Sequence, residues 1–276
     1  EPYRRQRQMC IRDRGYHNKG VAQGAIFDDA DGNWYSMLFQ DHDAVGRIPC
    51  ILPVHWEDNW PVFGIDGKVP HEWEVPFEES AHFDMVISDD FHHTENKLAN
   101  NWQWNHNPDN AFWSFTERPG YLRLTAGSLR DDVLFARNTL TQRTFGPTCS
   151  GKIKMDISGM KNGDYAGLAA FSYNYGYIAV KKESAGAKLV MVDAHNNETA
   201  KADKPTVAAS VDCTSDIVYL KEDFDFAGGD KVTFYYSFDG STWTQLGTPM
   251  QLIYELKHFM GSKFAIFNYA TKSTGG

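Results

Sequence analysis

The sequence predicts an all-β protein whose larger part is an antiparallel β-sandwich. Short apolar or alternating segments recur at about 8–12-residue spacing along most of the chain. No amphipathic helical pattern lies between them, and 14% of the 276 residues are aromatic. This length allows one large or two ordinary domains with a sizeable core.

The first predicted elements are a hairpin and a third strand. Residues 24–27 and 34–39 have strand composition, and the acidic segment 28–33 between them has turn chemistry. This turn superficially resembles a calcium loop, but Trp34 and Gln40 stand where an EF-hand requires Gly and Glu. We therefore favour a hairpin turn over a metal loop.

The segment that follows is predicted to become irregular. Residues 46–54 form a short strand, and 55–64 are predicted to be an aromatic turn. Residues 65–88 have neither helical nor strand periodicity, which is typical of a linker.

From residue 89 onward the sequence predicts many short strands separated by turns. Residues 239–243 (Asp-Gly-Ser-Thr-Trp) carry a tight hairpin signal. The predicted strands are 121–125, 152–157, 165–171, 175–180, 188–192, 216–221, 231–238 and 264–269.

Residues 1–14 differ in composition from the rest, with five arginines against Glu1 and Asp13 in an otherwise acidic chain. This segment could be a basic arm or a targeting peptide. A sequencing artefact fits better, because residues 4–14 (RRQRQMCIRDR) resemble a transposase-type sequencing adapter translated in one frame. We therefore expect residues 1–14 to be an artefact outside the fold and natural sequence to begin near Gly15.

Composition excludes several classes of function. A net charge of −9 argues against a nucleic-acid partner, and no apolar run reaches the about 18 residues of a membrane span. The G-x-S-x-G, H-E-x-x-H, P-loop and C-x-x-C strings are absent. Without Cys10, an odd set of three cysteines gives neither a disulfide framework nor a zinc site.

His92 and His93, beside Asp89 and Asp90, are the one cluster that could attract a metal. A solvated turn at a strand entry is the favoured interpretation. We assign no cofactor and leave open a structural calcium ion.

Two blocks of sequence carry more specific information. Residues 17–24 (HNKGVAQG) lead into the hairpin, and 39–49 (FQDHDAVGRIP) lead out of it into 53–62 (PVHWEDNWPV). In this order they resemble the last blade of family 43 glycoside hydrolases, five-bladed β-propellers that include β-xylosidases and α-L-arabinofuranosidases. Residues 101–109 (NWQWNHNPD), 113–124, 142–145 and 235–243 resemble the concanavalin A-like sandwich that follows this propeller.

The resemblance implies a fold in two parts. Residues 15–75 are the remnant of a five-bladed β-propeller, 76–88 are a linker, and 89–276 are an antiparallel concanavalin A-like (jelly-roll) β-sandwich. Relatives close with one more strand after residues 264–269, so we expect the last strand to be missing and residues 264–269 to form an unpaired sheet edge.

The resemblance also implies inverting glycoside hydrolysis by a carboxylate base and a carboxylic acid, with a further Asp that orients the acid. All three lie in blades that precede this segment, so we expect an inactive fragment with no catalytic residue in this chain. Turn and surface roles are assigned to Asp28, Asp41, Asp43 and Glu57. The implied partners are a plant cell-wall oligosaccharide and the missing propeller blades, and the expected localisation is secreted or periplasmic in a bacterium.

Five residues are predicted to bind substrate. Arg47 stands where the family has a pocket arginine that hydrogen-bonds a sugar hydroxyl, the alternative being a salt-bridged surface arginine. His42 borders the same loop, and Gln23 replaces an axial His of many relatives, which puts an ion site there in doubt. Arg143 and Phe145 lie on a candidate sandwich loop of the kind that inserts an aromatic into the propeller site, the alternative being a core or strand-edge role.

Three tryptophans of the sandwich, Trp102, Trp104 and Trp113, could form a sugar platform, but core positions are favoured. Two rivals from other classes remain at this stage. One is a non-catalytic carbohydrate-binding or structural sandwich, and the other is a lectin-like interaction module.

Overall fold

The computed structural model describes residues 20–70, 72–76, 84–194, 205–255 and 260–273. Regular structure in these ranges is almost entirely β, which confirms the predicted fold class. Among the described residues, no helix has the length and apolar character needed to cross a membrane. The predicted artefact 1–14, and most of the predicted linker 76–88, lie outside these ranges.

The strands are β1 (Val21–Asp28), β2 (Trp34–Asp41), β3 (Arg47–Glu57), β4 (Trp60–Phe63), β5 (Gln103–Trp104), β6 (Trp113–Ser114), β7 (Arg123–Leu124), β8 (Leu140–Arg143), β9 (Thr148–Asp156), β10 (Asp164–Phe171), β11 (Tyr175–Glu183), β12 (Gly186–Ala194), β13 (Thr206–Cys213), β14 (Ile217–Asp225), β15 (Lys231–Ser237), β16 (Thr244–Gln245), β17 (Met250–Gln251) and β18 (Lys263–Ala270). Short 3-10 helices span Asp43–Val45, Asn110–Phe112 and Val133–Phe135. The chain divides into two compact units, Glu1–Phe83 and Asp84–Gly276.

The first unit contains one antiparallel sheet in the order β1-β2-β3-β4. Its first turn is organised by Asp29, whose carboxylate accepts hydrogen bonds from the backbone N–H groups of Asp31 and Asn33 and from the Tyr35 hydroxyl. These side-chain hydrogen bonds satisfy the backbone groups of the turn, where the β1–β2 ladder has ended. The predicted hairpin over 24–39 is confirmed.

The aromatic turn predicted for 55–64 is wrong, because this segment is a second hairpin. β3 continues to Glu57, which pairs with Trp60 at the start of β4. Asp58 and Asn59 occupy the turn with φ of 49° and 63°. Asp and Asn tolerate this left-handed conformation, which a type I′ hairpin turn requires of both central residues.

The second unit is a sandwich of two antiparallel sheets. One has seven strands in the order β13-β12-β11-β10-β18-β8-β5, and the other has the order β16-β15-β14-β9, with β17 also paired to β15. Strands β10 and β11 contact β14 of the opposite sheet, and the side chains between the sheets form the core. This core includes the fully buried Ile178, Leu220 and Phe234.

Several details differ from the sequence expectations. The predicted strand 121–125 is only the two residues of β7, and the strands of the second unit that were not predicted are β5, β6, β8, β13, β16 and β17. β18 is paired on both sides, by β10 and β8, so it is not a sheet edge. The absence of a further strand stays a prediction.

Candidate functional site

The site predicted from the sequence centres on the loop that joins β2 to β3. Asp41 and Arg47 form the last pair of this ladder. The intervening chain is closed by bonds from the Gly46 N–H to the Asp43 carbonyl and from the His42 N–H to the Gly46 carbonyl. Gly46 has φ of 95°, a conformation that favours glycine. The loop therefore holds His42 and Arg47 at fixed positions at one end of the sheet.

Arg47 is fixed by two contacts on one face of the sheet. Its Nε donates to Asp41 Oδ1 at 3.1 Å, and its guanidinium carbon lies 3.9 Å from the centroid of the Phe39 ring. Phe39 and Asp41 are alternate residues of β2 and project from the same face. The side chains of Arg47 and Asp41 are 21% and 29% exposed. A planar fork held in this way can bind a hydroxyl or a carboxylate with defined geometry.

His42 lies at the same end of the sheet. Its Nε2 is 2.9 Å from Oε1 of Gln40, and Gln40 is buried. The amide oxygen accepts, so this contact requires the proton on Nε2. The buried amide thereby orients the imidazole.

Gln23 occupies a bulge in β1. The register passes from Ala22 opposite Phe39 to Gly24 opposite Leu38, which leaves Gln23 between them with φ of 47°. A Cβ at Gly24 would lie 1.8 Å from the Met37 carbonyl oxygen, so glycine is required beside the bulge. Gln23 is exposed and lies on the strand next to Phe39. Three of the five predicted site residues, Gln23, His42 and Arg47, are therefore near one end of one sheet.

Arg143 and Phe145 belong to the second unit. Arg143 is the exposed last residue of β8, opposite Lys263. Burial and the charge of Arg143 lower the pKa of Lys263. Phe145 follows β8 and is 45% exposed, while Thr144 anchors the chain between them by donating to the Ser262 carbonyl. Arg143 is thus a strand residue, and Phe145 begins the loop.

The sandwich tryptophans pack mainly into the protein. Trp113 is 8% exposed and its Nε1 donates to Asn110. The rings of Trp104 and Trp113 are 5.1 Å apart, and Trp102 donates to Asp89. These contacts support the core interpretation.

The cluster around Asp89 is a structural turn. The Asp89 carboxylate accepts from the Phe91 N–H, from His93 Nε2 and from Trp102 Nε1, and the His93 ring stacks on Phe115 at 4.4 Å. Across the described ranges, no three His, Cys, Asp or Glu side chains are grouped in a way that could hold a metal ion.

The second unit also has a groove of about 770 Å³ that was not predicted from the sequence. Phe135, Arg130 and Arg137 are among its lining residues. The only sequence signal was the pattern RDDVLFAR at 130–137, in which two acidic and four apolar residues separate two arginines.

Comparison with known proteins gives consistent matches. A family model described as "Beta xylosidase C-terminal Concanavalin A-like domain" matches residues 88–276. A β-xylosidase of Formosa agariphila is 28% identical over 292 residues, covering 95% of this chain and 47% of that protein.

Two solved structures share the fold over nearly the whole chain. A bifunctional GH43-CE protein of Bacteroides eggerthii is 47% identical with a TM-score of 0.82, over 93% of this chain and 33% of that one. An engineered GH43 glycoside hydrolase, described as displaying both endo-xylanase and exo-arabinofuranosidase activity, is 32% identical with a TM-score of 0.85, over 96% of this chain and 54% of that one. The chain spans about half or less of the length of these relatives.

Proposed function

The chain belongs to the β-xylosidase C-terminal concanavalin A-like domains of glycoside hydrolase family 43, and we propose that it is the C-terminal part of such a hydrolase. The whole enzyme would cleave O-glycosidic bonds of xylo-oligosaccharides or arabinose-substituted hemicellulose. The observation that carries this proposal is the four-stranded antiparallel sheet that precedes the family domain in the sequence, since four strands are the size of one propeller blade. The F. agariphila β-xylosidase aligns with both parts.

The exposed apolar side chains of this sheet fit a blade that packs between neighbours. Met37 is 40% exposed on one face, and Ile26 and Trp56 are 37% and 45% exposed on the other. These faces follow from the strand pairing, because directly opposite residues of an antiparallel ladder project from the same face and neighbouring residues of a strand from opposite faces. We propose that the remaining propeller blades cover both faces.

The proposed reaction is inverting hydrolysis, in which one carboxylic acid protonates the leaving oxygen and one carboxylate activates water. We assign neither role to this chain. Asp41 is bonded to Arg47 and Glu57 to His55, while Asp28 ends β1 and Asp43 begins a 3-10 helix. These structural positions support an acid and a base contributed by other blades.

Arg47 is the proposed substrate contact of the first unit. Its fork would donate to a sugar hydroxyl, with Asp41 and Phe39 fixing its plane, and His42 and Gln23 bordering the same pocket. Phe145 and Arg143, in the second unit, stay predicted substrate contacts.

The test measures hydrolysis of nitrophenyl β-xyloside and nitrophenyl α-L-arabinofuranoside. We expect no turnover by this chain alone. We expect turnover by a chimera in which this chain replaces the matching segment of the B. eggerthii protein, and loss of activity in its Arg47→Ala variant. Turnover by the chain alone would contradict the assignment of the acid and base, and an inactive but folded chimera would contradict the proposed function.

A further inference from the structure

The groove on the sandwich has the size and chemistry of a ligand site, and all of its lining residues belong to the second unit. Its volume of about 770 Å³ falls within the range of about 300–1,000 Å³ that is typical of small-molecule sites. Its polar and charged lining includes Arg130, Arg137, Asp131, His106 and Asn107. Two arginines in one groove are notable in a chain whose net charge is −9.

The aromatic residue of the groove projects outward because its neighbours are buried. Val133 and Ala136 are 0% and 1% exposed and belong to a buried hydrophobic cluster that includes Tyr177 and Phe267. Asp132 caps the 3-10 helix by accepting from the Leu134 N–H and also accepts from the Tyr175 hydroxyl. Phe135 is left 61% exposed, the most exposed aromatic side chain among the described residues. The short helix therefore presents Phe135 from a fixed base.

Both arginines are held by backbone carbonyls. Arg130 donates from Nε to the Phe135 carbonyl at 3.1 Å and from Nη1 to the Leu129 carbonyl at 2.8 Å. Arg137 donates from Nε to the Asn107 carbonyl at 2.7 Å. Carbonyls fix the guanidinium planes without neutralising their charge, and Asp131 is the one acidic side chain of the groove lining. The outer N–H groups of each fork are suited to a planar anion.

We propose that this groove binds a uronic acid unit of an oligosaccharide. Phe135 packs against the apolar face of the sugar ring, and the forks of Arg137 and Arg130 bind its carboxylate. Asn107 and Asp131 are placed to bind hydroxyls. The preference for a carboxylate is argued from the groove alone. The choice of glucuronate on a xylan backbone as its source rests on the proposed function.

Titration calorimetry on the complete chain tests the site. The three probes are xylotriose carrying one glucuronic acid, neutral xylotetraose, and trigalacturonate as an acidic sugar without xylose. We expect both acidic probes to bind at least about tenfold more tightly than xylotetraose, which corresponds to 1.4 kcal/mol. We also expect their affinity to fall at high salt, because the site is exposed.

Two variants separate packing on the Phe135 ring from recognition by the planar guanidinium fork. Phe135→Ala is expected to weaken the acidic probes by about tenfold, and Arg137→Lys, which keeps the charge but loses the fork, by about fivefold or more. Matched controls outside the groove are Phe238→Ala and Lys152→Gln, for which no change is expected. Thermal melts establish that each variant is folded.

Equal affinity for acidic and neutral probes, no binding of any probe, or unchanged binding in both groove variants would overturn the proposal. Tighter binding of a short oligonucleotide than of the acidic sugars would overturn it too. Failure here is distinguishable from failure of the proposed function, since that is judged by turnover in the chimera. Binding of trigalacturonate alone supports the uronate site and excludes xylan as its source.

Discussion

Arg47 donates a hydrogen bond from Nε to Oδ1 of Asp41 at 3.1 Å, and the two residues are direct partners in the β2–β3 ladder. The pairing register therefore dictates the ion pair. A sugar-binding role and a salt bridge were alternative predictions for Arg47. The two roles are compatible, because the salt bridge uses Nε and orients the rest of the guanidinium.

In the active chimera, Arg47→Lys and Asp41→Asn are expected to raise KM more than they lower kcat. Arg47→Lys loses the fork, and a hydrogen bond to a charged group is worth about 1.5–3 kcal/mol, so we expect about a 10- to 100-fold loss of kcat/KM. Asp41→Asn acts by releasing the Arg47 side chain and should cost about 3- to 10-fold. Steady-state kinetics with nitrophenyl β-xyloside measure both.

The matched control is Glu117→Gln, which removes a carboxylate of the sandwich that forms an ion pair with Arg123, with Oε1 and Nε 3.0 Å apart. It should leave kcat/KM unchanged. Equal loss in all three variants, or a pure kcat effect at Asp41, would contradict a positioning role.

The hydroxyls of Tyr177 and Tyr269 are 2.9 Å apart in the buried core and should be energetically coupled. Tyr269→Phe leaves the Tyr177 hydroxyl buried without its partner, which we expect to cost about 1–2 kcal/mol of unfolding free energy. Tyr177→Phe should cost a similar amount, and the double variant no more than one single variant. Urea unfolding of the four proteins measures this cycle, and additive losses would exclude the coupling.

Strands were predictable from the sequence where a local residue pattern indicates them, and not where tertiary contacts decide the pairing. Strands β10, β11, β12 and β18 are continuous apolar runs, and burial on both faces follows from composition. β13 (Thr206–Cys213) is mostly exposed, and its alternating apolar residues Val207, Ala209, Val211 and Cys213 are a weak signal because these side chains are small and at best partly buried. The two-residue strands β5 and β6 have no local signal.

The candidate functional residues also differ in how far local sequence predicts them. The position of Arg47 was predictable from residues 39–49, because this segment forms one hairpin. The groove was not, because it joins His106 and Asn107 to residues 129–137 and Thr271, which only the folded chain brings together. Phe135 also has an apolar neighbour on each side in the sequence, so its exposure could not be read locally.

Asp156 should contribute acid-sensitive stability. Hydrogen bonds from the Ser158 hydroxyl, then from Arg118 and the Ser158 N–H, lower its pKa to about 2. A lowered folded-state pKa means that the stabilisation is present above the ordinary pKa of 3.8 and is lost as pH falls toward 2. Because Arg118 is 40% exposed, we expect Asp156→Asn to cost at most about 1 kcal/mol at pH 7.

The cost of Asp156→Asn should shrink between pH 4 and pH 2, as measured by urea unfolding at each pH. Asp212→Asn is the control, because Asp212 pairs with Lys188 with its side chain 78% exposed and its loss should be smaller. A cost at Asp156 that stays constant down to pH 2 would show that the carboxylate charge is not responsible.

Glu222 should make the sandwich less stable as pH rises. It projects from β14 into the core with 0% exposure, and neither carboxyl oxygen has a hydrogen-bond partner within the described part of the chain. Burial, and then the charge of Asp223, raise its pKa well above 4.5. The folded state therefore retains a proton that the unfolded state releases above pH 4.5, so stability falls with increasing pH, by up to about 1.4 kcal/mol per pH unit, until the folded-state pKa is reached.

Two substitutions distinguish the charge of Glu222 from its polarity. Glu222→Gln cannot ionise and should abolish this pH slope between pH 5 and 8 while keeping an unpaired polar group. Glu222→Met also replaces that group with an apolar chain, so it should raise stability by about 1–3 kcal/mol at pH 8. Urea unfolding, with hydrogen exchange of β14 to localise the effect, measures both, and Asp223→Asn controls for loss of a neighbouring charge. A wild-type slope that persists in Glu222→Gln would assign the pH dependence to another group, because no proton can then be bound at position 222.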